Sequence, residues 1–234
     1  MDPVFWLVMG LTYLFSLVVK NRLNSIYATY SRLPNRAGFS GGQVARDILD
    51  SNGLHDVHLE LARGTLTDHY DPRTRVVRLS LANARQASVA AMAVSAHEAG
   101  HALQDADHYV PLEIRTSILP LVQAGARFGI PLALFGSMFG SEAVFLLGTL
   151  AYLGSIFFQI ITLPVEFDAS RRALVQLRKL GIIRDEDEER EARDTLRAAA
   201  MTYVAGAASA AGFVVLIGLD FVRAVGRRPR IGGA

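Results

Sequence analysis

Four apolar runs constrain most strongly how this chain can fold. They cover residues 4–19, 117–139, 143–163 and 199–219. The run at 143–163 is long enough to cross a lipid bilayer, whereas 4–19 is near the lower length limit for a crossing helix. With 51% hydrophobic and only 20% charged residues overall, the runs predict a mostly α-helical integral membrane protein with a small water-facing part.

The runs and the composition between them divide the chain into six predicted segments. These are an amino-terminal transmembrane anchor (1–19), a cytosolic domain (20–110), a membrane hairpin (111–163), two polar helices (164–198), a final membrane span (199–220) and a basic tail (221–234). In the hairpin, Ser141 and Glu142 are the expected turn, and Gly136 and Gly140 have the spacing of close helix packing. Arg127 is costly at membrane depth, so we expect it to face a cavity or a partner, unless the first run is re-entrant or interfacial.

Charges beside the first run predict its orientation. Lys20 and Arg22 follow it directly, and the positive-inside rule then places the amino terminus outside and residues 20–110 in the cytoplasm. A cleaved signal peptide is disfavoured, because Asp2 replaces the usual basic start and no small-residue cleavage site follows. Four complete crossings would put the basic tail outside, against the same rule. The sequence therefore leaves the number of crossings open.

Composition also limits the chemistry. The chain has no cysteine, which excludes disulfides and thiolate metal sites. Its 24 basic and 22 acidic residues nearly balance and are dispersed, so no nucleic-acid partner is expected. Any bound metal must be held by histidine and carboxylate.

Residues 20–110 are predicted to form a small α+β domain. Ser40 can cap a helix that Gly53 ends. Alternation of Val57, Leu59 and Leu61 with polar residues indicates a half-buried strand. The turn signal at 71–74 predicts a β-hairpin that leads into the next helix.

That next helix carries His97-Glu98-Ala99-Gly100-His101, an HExxH motif. Residues four apart share one helix face, so both imidazoles can reach one metal ion. Glu98 is placed to act as general base toward an attacking water. A chance surface cluster is disfavoured, because the small apolar residues before the motif indicate a buried helix, in which His and Glu need partners. We expect one Zn²⁺ per chain.

A catalytic zinc site needs a third protein ligand. Glu166 is the favoured candidate, because its helix returns to the same membrane face as the motif. Asp168 is the alternative. Only one of the two can be the ligand, because residues i and i+2 point in different directions on a helix. Asp105 and Asp107 follow the motif too closely to turn back easily. A donor for a developing oxyanion could come from Tyr203, His69 or Arg171. Asp68 to Asp71 could contribute to the site, although turn chemistry alone explains both aspartates.

Three blocks carry a family resemblance: GTLTDHYDPRTRVVRLS, SVAAMAVSAHEAGHALQ and LPVEFDASRRAL. On them the chain resembles the YugP-type membrane-bound neutral zinc metallopeptidases. The resemblance implies a zincin-like integral membrane endopeptidase with His97 and His101 as ligands and Glu98 as base. More distantly, the chain is similar to the HtpX and CAAX prenyl-protease group, whose E-x-x-x-D helix would match Glu166 as ligand and put Ser170 where a second carboxylate is expected. That departure leaves the partner of the first histidine open, with Asp168 as one substitute.

The function expected from these features is zinc-dependent hydrolysis of peptide bonds in peptides or membrane proteins. The expected location is the plasma membrane, crossed several times, with the active site facing the cytoplasm. A metal-binding membrane scaffold without hydrolytic activity is the alternative, and it would not need Glu98. A hydrolase acting on lipid or another non-peptide substrate is a third possibility. Oligomeric state does not follow from the sequence.

Overall fold

In a computed structural model, residues 3–65 and 67–226 are described, with the backbone alone at Phe5, Ala210 and 213–226. The elements are α1 (Pro3–Tyr30), α2 (Gly41–Ser51), β1 (His58–Ala62), β2 (His69–Asp71), β3 (Val76–Ser80), α3 (Leu81–Arg85), α4 (Val89–Ala106), α5 (Val110–Met138), α6 (Glu142–Lys179) and α7 (Glu186–Gly226). The prediction of a mostly helical chain with a small sheet is confirmed. In the predicted basic tail, 227–234 lie outside the described residues.

Helix α2 begins and ends where the sequence predicts. Ser40 is its N-cap, and its side chain and that of Gln43 form a capping box that satisfies two backbone N–H groups. The helix closes at Asn52, and Gly53 follows with φ of +76°, a conformation that glycine adopts without steric cost. Val44, Ile48 and Leu49 are completely buried and pack into the core beneath α4.

The sheet has the strand order β1-β3-β2, with β3 parallel to β1 and antiparallel to β2. The predicted hairpin is confirmed: Asp71 accepts hydrogen bonds from the Arg73 amide (3.0 Å) and the Thr74 hydroxyl (2.8 Å), which is ordinary turn chemistry. The prediction that Val57, Leu59 and Leu61 lie on a buried face is wrong at Leu61. Val57 and Leu59 reach the core, whereas Leu61 is 57% exposed because the core ends before this edge strand does.

Helix α4 is the central element of the part of the chain that contains the sheet. Ser88 caps its first turn, and nearly all of its residues are buried against α2, the sheet, α6 and α7. The chain reaches α4 through β3 and α3, a path that Asp68 holds in place. One Asp68 oxygen accepts from the Ser80 amide (2.7 Å) and the other from the Asn83 side chain (2.9 Å). Asp68 therefore stabilises the connection from β3 to α3 and does more than form a turn.

The longest helices cross the predicted segment boundaries. The boundary at 163/164 falls inside α6 and that at 198/199 inside α7. Helix α6 thus joins the second apolar run and the third-ligand segment into one continuous helix of 38 residues. Among the described residues, α5 and α6 are long and apolar enough to cross a membrane by length and composition.

Helices α5 and α6 pack closely as an antiparallel pair. Gly136 is part of this contact, because an added Cβ would lie 2.3 Å from the Phe145 amide nitrogen. Gly140 is not: it has φ of +69° in the connection and no atom near the position of a Cβ. The predicted pairing of these two glycines is therefore wrong. The closely packed GxxxG pair is Gly125 and Gly129, against Ala151 and Tyr152 respectively.

The surroundings of Arg127 do not test the expectation that it faces a cavity or a partner. It is exposed on α5, and its guanidinium carbon lies 5.3 Å from the ring centre of the adjacent Phe128. Helix α5 continues through both Pro120 and Pro131. The re-entrant or interfacial alternative for this run stays a prediction.

Candidate metal centre

The structure brings His97, His101 and Glu166 together at the contact between α4 and α6. One ligand atom of each residue lies within 4.8 Å of the others. The Glu166 carboxylate is 3.1 Å from His97 Nε2 and 3.8 Å from His101 Nε2. This approach depends on Gly100, where a Cβ would lie only 2.6 Å from the Ala169 carbonyl oxygen. A side chain at position 100 would push the two helices apart.

The donor set and its surroundings fit a zinc ion. Two imidazoles and one carboxylate are the ligands of many catalytic zinc sites, and three protein ligands leave one position open. His101 and Glu166 are buried, and Glu166 Oε1 makes no hydrogen bond among the described residues. The charge of this oxygen is balanced by Arg115, whose Nη1 atom lies 3.1 Å away, and a metal cation between the two imidazoles and the carboxylate would balance it further. His97, His101 and Glu166 are therefore the residues that would hold the metal.

Gln104 fixes the orientation of His101. The His101 Nδ1 atom lies 2.9 Å from Gln104 Oε1, and the Gln104 amide nitrogen donates to the Val165 carbonyl (2.8 Å) and to Asp168 (3.0 Å). Because that nitrogen has two acceptors, Gln104 Oε1 is the acceptor for His101 and the proton is on Nδ1. The lone pair of His101 Nε2 is then free to face the centre.

Ser170 is the partner of the other histidine. Its Oγ atom lies 3.1 Å from His97 Nδ1. The residue that stands in the place of an expected carboxylate therefore contacts the first histidine itself. Asp168, the alternative third ligand, points elsewhere: it binds Gln104, Arg171 and Arg172. Its contribution to the centre is indirect, through Gln104.

Glu98 is buried beside the cluster and lines the same cleft. Burial raises the pKa of Glu98 to about 7, because a charged carboxylate is poorly solvated there. A carboxyl group with this pKa can both accept and release a proton near neutral pH.

The cluster lies in a cleft of about 550 Å³. Its walls come from α1, the β2 hairpin, α5 and α7, and they include His69 and Tyr203. His69 Nδ1 donates to the Thr67 carbonyl (2.8 Å), which leaves the Nε2 atom of His69 free of this hydrogen bond. Arg171 is absent from the walls; it is exposed and paired with Asp168. Its candidacy as an oxyanion donor is therefore not supported.

Arg115 is a cleft residue that sequence reasoning missed. Its Nη1 atom lies 3.1 Å from Glu166 Oε1, and its side chain is 26% exposed. Arg115 sits in the second turn of α5, just before the apolar run. No local pattern marks it, because its proximity to Glu166 arises only when α5 and α6 pack together.

Comparisons with known proteins agree with this arrangement. A family model described as "Putative neutral zinc metallopeptidase" matches residues 5–219. "Putative membrane protease YugP" of Bacillus subtilis (strain 168) is 45% identical over 186 residues, which cover 80% of this chain and 82% of that protein. No solved structure matches the chain.

The family match covers most of the chain, including all three candidate ligands and both long apolar helices. It confirms the resemblance to YugP-type proteins. The relative's name and the two apolar helices together indicate membrane association. The chain belongs to the neutral zinc metallopeptidase family.

Proposed function

We propose that this protein is a membrane-bound zinc-dependent endopeptidase in which His97, His101 and Glu166 hold the metal and Glu98 is the general base. The observation that carries the proposal is the convergence of two imidazoles and a buried carboxylate on one point of a cleft. A fourth residue, the buried Glu98, lies beside them. A scaffold without hydrolytic activity would leave the burial of Glu98 unexplained, since burying a carboxyl group costs stability.

The reaction follows from the positions of the cleft residues. Zinc, when bound, supplies a Lewis acid that polarises a carbonyl group and makes water more acidic. Glu98 accepts a proton from the attacking water and delivers it to the leaving amine. Gln104 and Ser170 hold the two imidazoles in place during both proton transfers.

Substrate alignment is assigned to the edge strand and the cleft wall. Strand β2 is at the edge of the sheet and lines the cleft, so an extended peptide can pair with its outer side. Tyr203 and Arg115 line the same cleft and carry donors for the negative charge that develops on the substrate oxygen.

The proposed setting is the plasma membrane, crossed several times, with the metal centre on the cytoplasmic side. Lys20 and Arg22 on α1 support this orientation through the positive-inside rule. The proposed substrates are peptides or membrane proteins whose scissile segment reaches the cleft.

The test compares detergent-purified wild type with Glu98→Gln, and with Glu60→Gln as a control that removes an exposed carboxylate on β1. We expect Glu98→Gln to abolish casein cleavage while zinc content stays unchanged, and Glu60→Gln to behave as wild type. Cleavage by Glu98→Gln at the wild-type rate would contradict the assigned base. A wild type that binds zinc but cleaves no peptide would favour the scaffold.

A further inference from the structure

A second groove, of about 270 Å³, lies between α6 and α7. Four arginines line it, two from each helix, and we call it the arginine groove: Arg171 and Arg178 from α6, Arg193 and Arg197 from α7. Its remaining walls are mostly apolar, contributed by Phe167, Leu174, Val175, Leu196 and Ala200. Such a combination suits a ligand with an anionic head and an apolar body.

The arginine groove has more positive than negative charge. Arg178 and Arg193 share one carboxylate, that of Glu189. Arg171 pairs with Asp168, which Arg172 also binds. Arg197 is exposed and has no ion-pair partner among the residues that the structure describes. Two carboxylates thus pair with three of the four arginines of the groove, and the groove can accept further negative charge.

The position of the groove along the helices matches a membrane surface. On α6, Phe167 is 50% exposed and precedes Arg171 by one turn. On α7, Met201 is 37% exposed and follows Arg197 by one turn. Both helices therefore change from arginine to exposed apolar side chains in the direction of their apolar runs. Arginine side chains at such a boundary favour the headgroup region.

An exposed apolar track leads from the membrane-side part of α6 to the groove. Phe157, Ile160 and Ile161 are each more than a third exposed, and they lie two to three turns before Phe167. Ile160, seven residues before Phe167, lies on the same side of α6, and Phe157 and Ile161 widen the exposed strip beside it. An acyl chain can lie along this track while the head of the same molecule reaches the arginines.

We propose that the arginine groove binds the headgroup of an anionic phospholipid, with the phosphate held by Arg171 and Arg197 and an acyl chain against Phe167. Guanidinium groups bind phosphate through paired, charge-assisted hydrogen bonds, which favours a phosphate ligand over a simple counter-ion. Ser170 is also on the groove wall, so the bound lipid lies directly behind His97.

The test measures the thermal unfolding midpoint of the detergent-purified full chain with added dioleoyl phosphatidylglycerol, dioleoyl phosphatidylcholine or inorganic phosphate. At about tenfold excess over its dissociation constant, a lipid bound to the native state should raise the midpoint by about 3–6 °C. We expect this rise with phosphatidylglycerol only. It should vanish in the double variant Arg171→Gln/Arg197→Gln.

A charge-matched control separates the groove from general surface charge. The double variant Arg85→Gln/Arg190→Gln removes two exposed arginines outside the groove and should keep the full response to phosphatidylglycerol. An equal response to phosphatidylcholine, or to inorganic phosphate alone, would overturn the proposal. So would a wild-type response in the Arg171→Gln/Arg197→Gln variant. Because unfolding is measured without substrate, the result is independent of the proposed peptidase activity.

Discussion

Helix α6 makes two close helix–helix contacts, one with α5 and one with α4, and only the contact with α4 contains functional side chains. Toward α5, small residues alone allow the approach: Gly148 faces Ala133, and Gly125 faces Ala151. Toward α4, Gly100 permits an equally close approach, but this contact also holds the metal centre and the polar groups that orient it.

Close packing on one helix therefore has two roles: it stabilises the α5–α6 pair, and it positions the metal ligands between α4 and α6. The α5 contact stabilises a pair of long apolar helices by packing alone, which is how small residues act between membrane helices. The α4 contact must place three ligands from two helices within one coordination sphere. A small shift there should therefore cost metal binding, whereas a similar shift in the α5 contact should cost stability only.

The largest effect is expected from Gly100→Ala. The added Cβ would lie 2.6 Å from a backbone carbonyl, so α4 and α6 must separate. We expect a loss of about 1–3 kcal/mol in the free energy of unfolding from overpacking, together with loss of most bound zinc. Zinc content after gel filtration checks the second effect. Gly154→Ala is the matched control: an added Cβ there would have no neighbour from the rest of the described chain within 4 Å, so this variant should retain zinc.

Gly148→Ala should lower stability to a similar degree but leave zinc in place. Its Cβ would lie 2.3 Å from the Ala133 amide nitrogen, which separates α5 from α6 far from the ligands. Thermal unfolding and zinc content measured on the same sample test this difference. If Gly148→Ala loses as much zinc as Gly100→Ala, the two contacts are not independent.

Gln104→Leu should weaken zinc binding by about 10–100-fold, the usual effect of losing a group that orients a metal-binding histidine. The change removes the acceptor for His101 and leaves the Val165 carbonyl without its donor. Competition with a chelator measures the affinity. Gln86→Leu, on an exposed residue, is the control. An unchanged affinity would show that His101 does not depend on Gln104.

Ser170→Ala should have the smallest effect, about tenfold in zinc affinity, because it removes one hydroxyl contact of His97 at a partly exposed position. The same chelator competition applies. A loss larger than that of Gln104→Leu would reverse the assigned order of the two supports.

The sequence predicted those features that short-range patterns encode. The cap at Ser40, the turn at 71–74 and the helix carrying His97 and His101 all follow from local residue chemistry, and the structure contains them. Glu166 could be proposed because its helix had to return to the same membrane face. Its proximity to both histidines agrees with that proposal.

The missed features arise from contacts between distant segments. Gln104 contacts His101 through geometry set by the α4–α6 approach, and glutamine does not mark a metal site by itself. The resemblance to other proteases pointed to position 170, but the contact of the Ser170 hydroxyl with His97 appears only in the structure. Arg115 reaches Glu166 only through the packing of α5 on α6. Arg171 was one of three candidate donors for the oxyanion, but it lines the arginine groove instead of the cleft.

The most direct test of the metal centre is the zinc content per chain of detergent-purified wild type, Glu166→Ala and Asp168→Ala. We predict about one zinc per chain in the wild type, a marked loss in Glu166→Ala, and a smaller loss in Asp168→Ala, because Asp168 acts only through Gln104. Full zinc occupancy in Glu166→Ala, or a wild type that binds no zinc after resupply, would contradict this prediction.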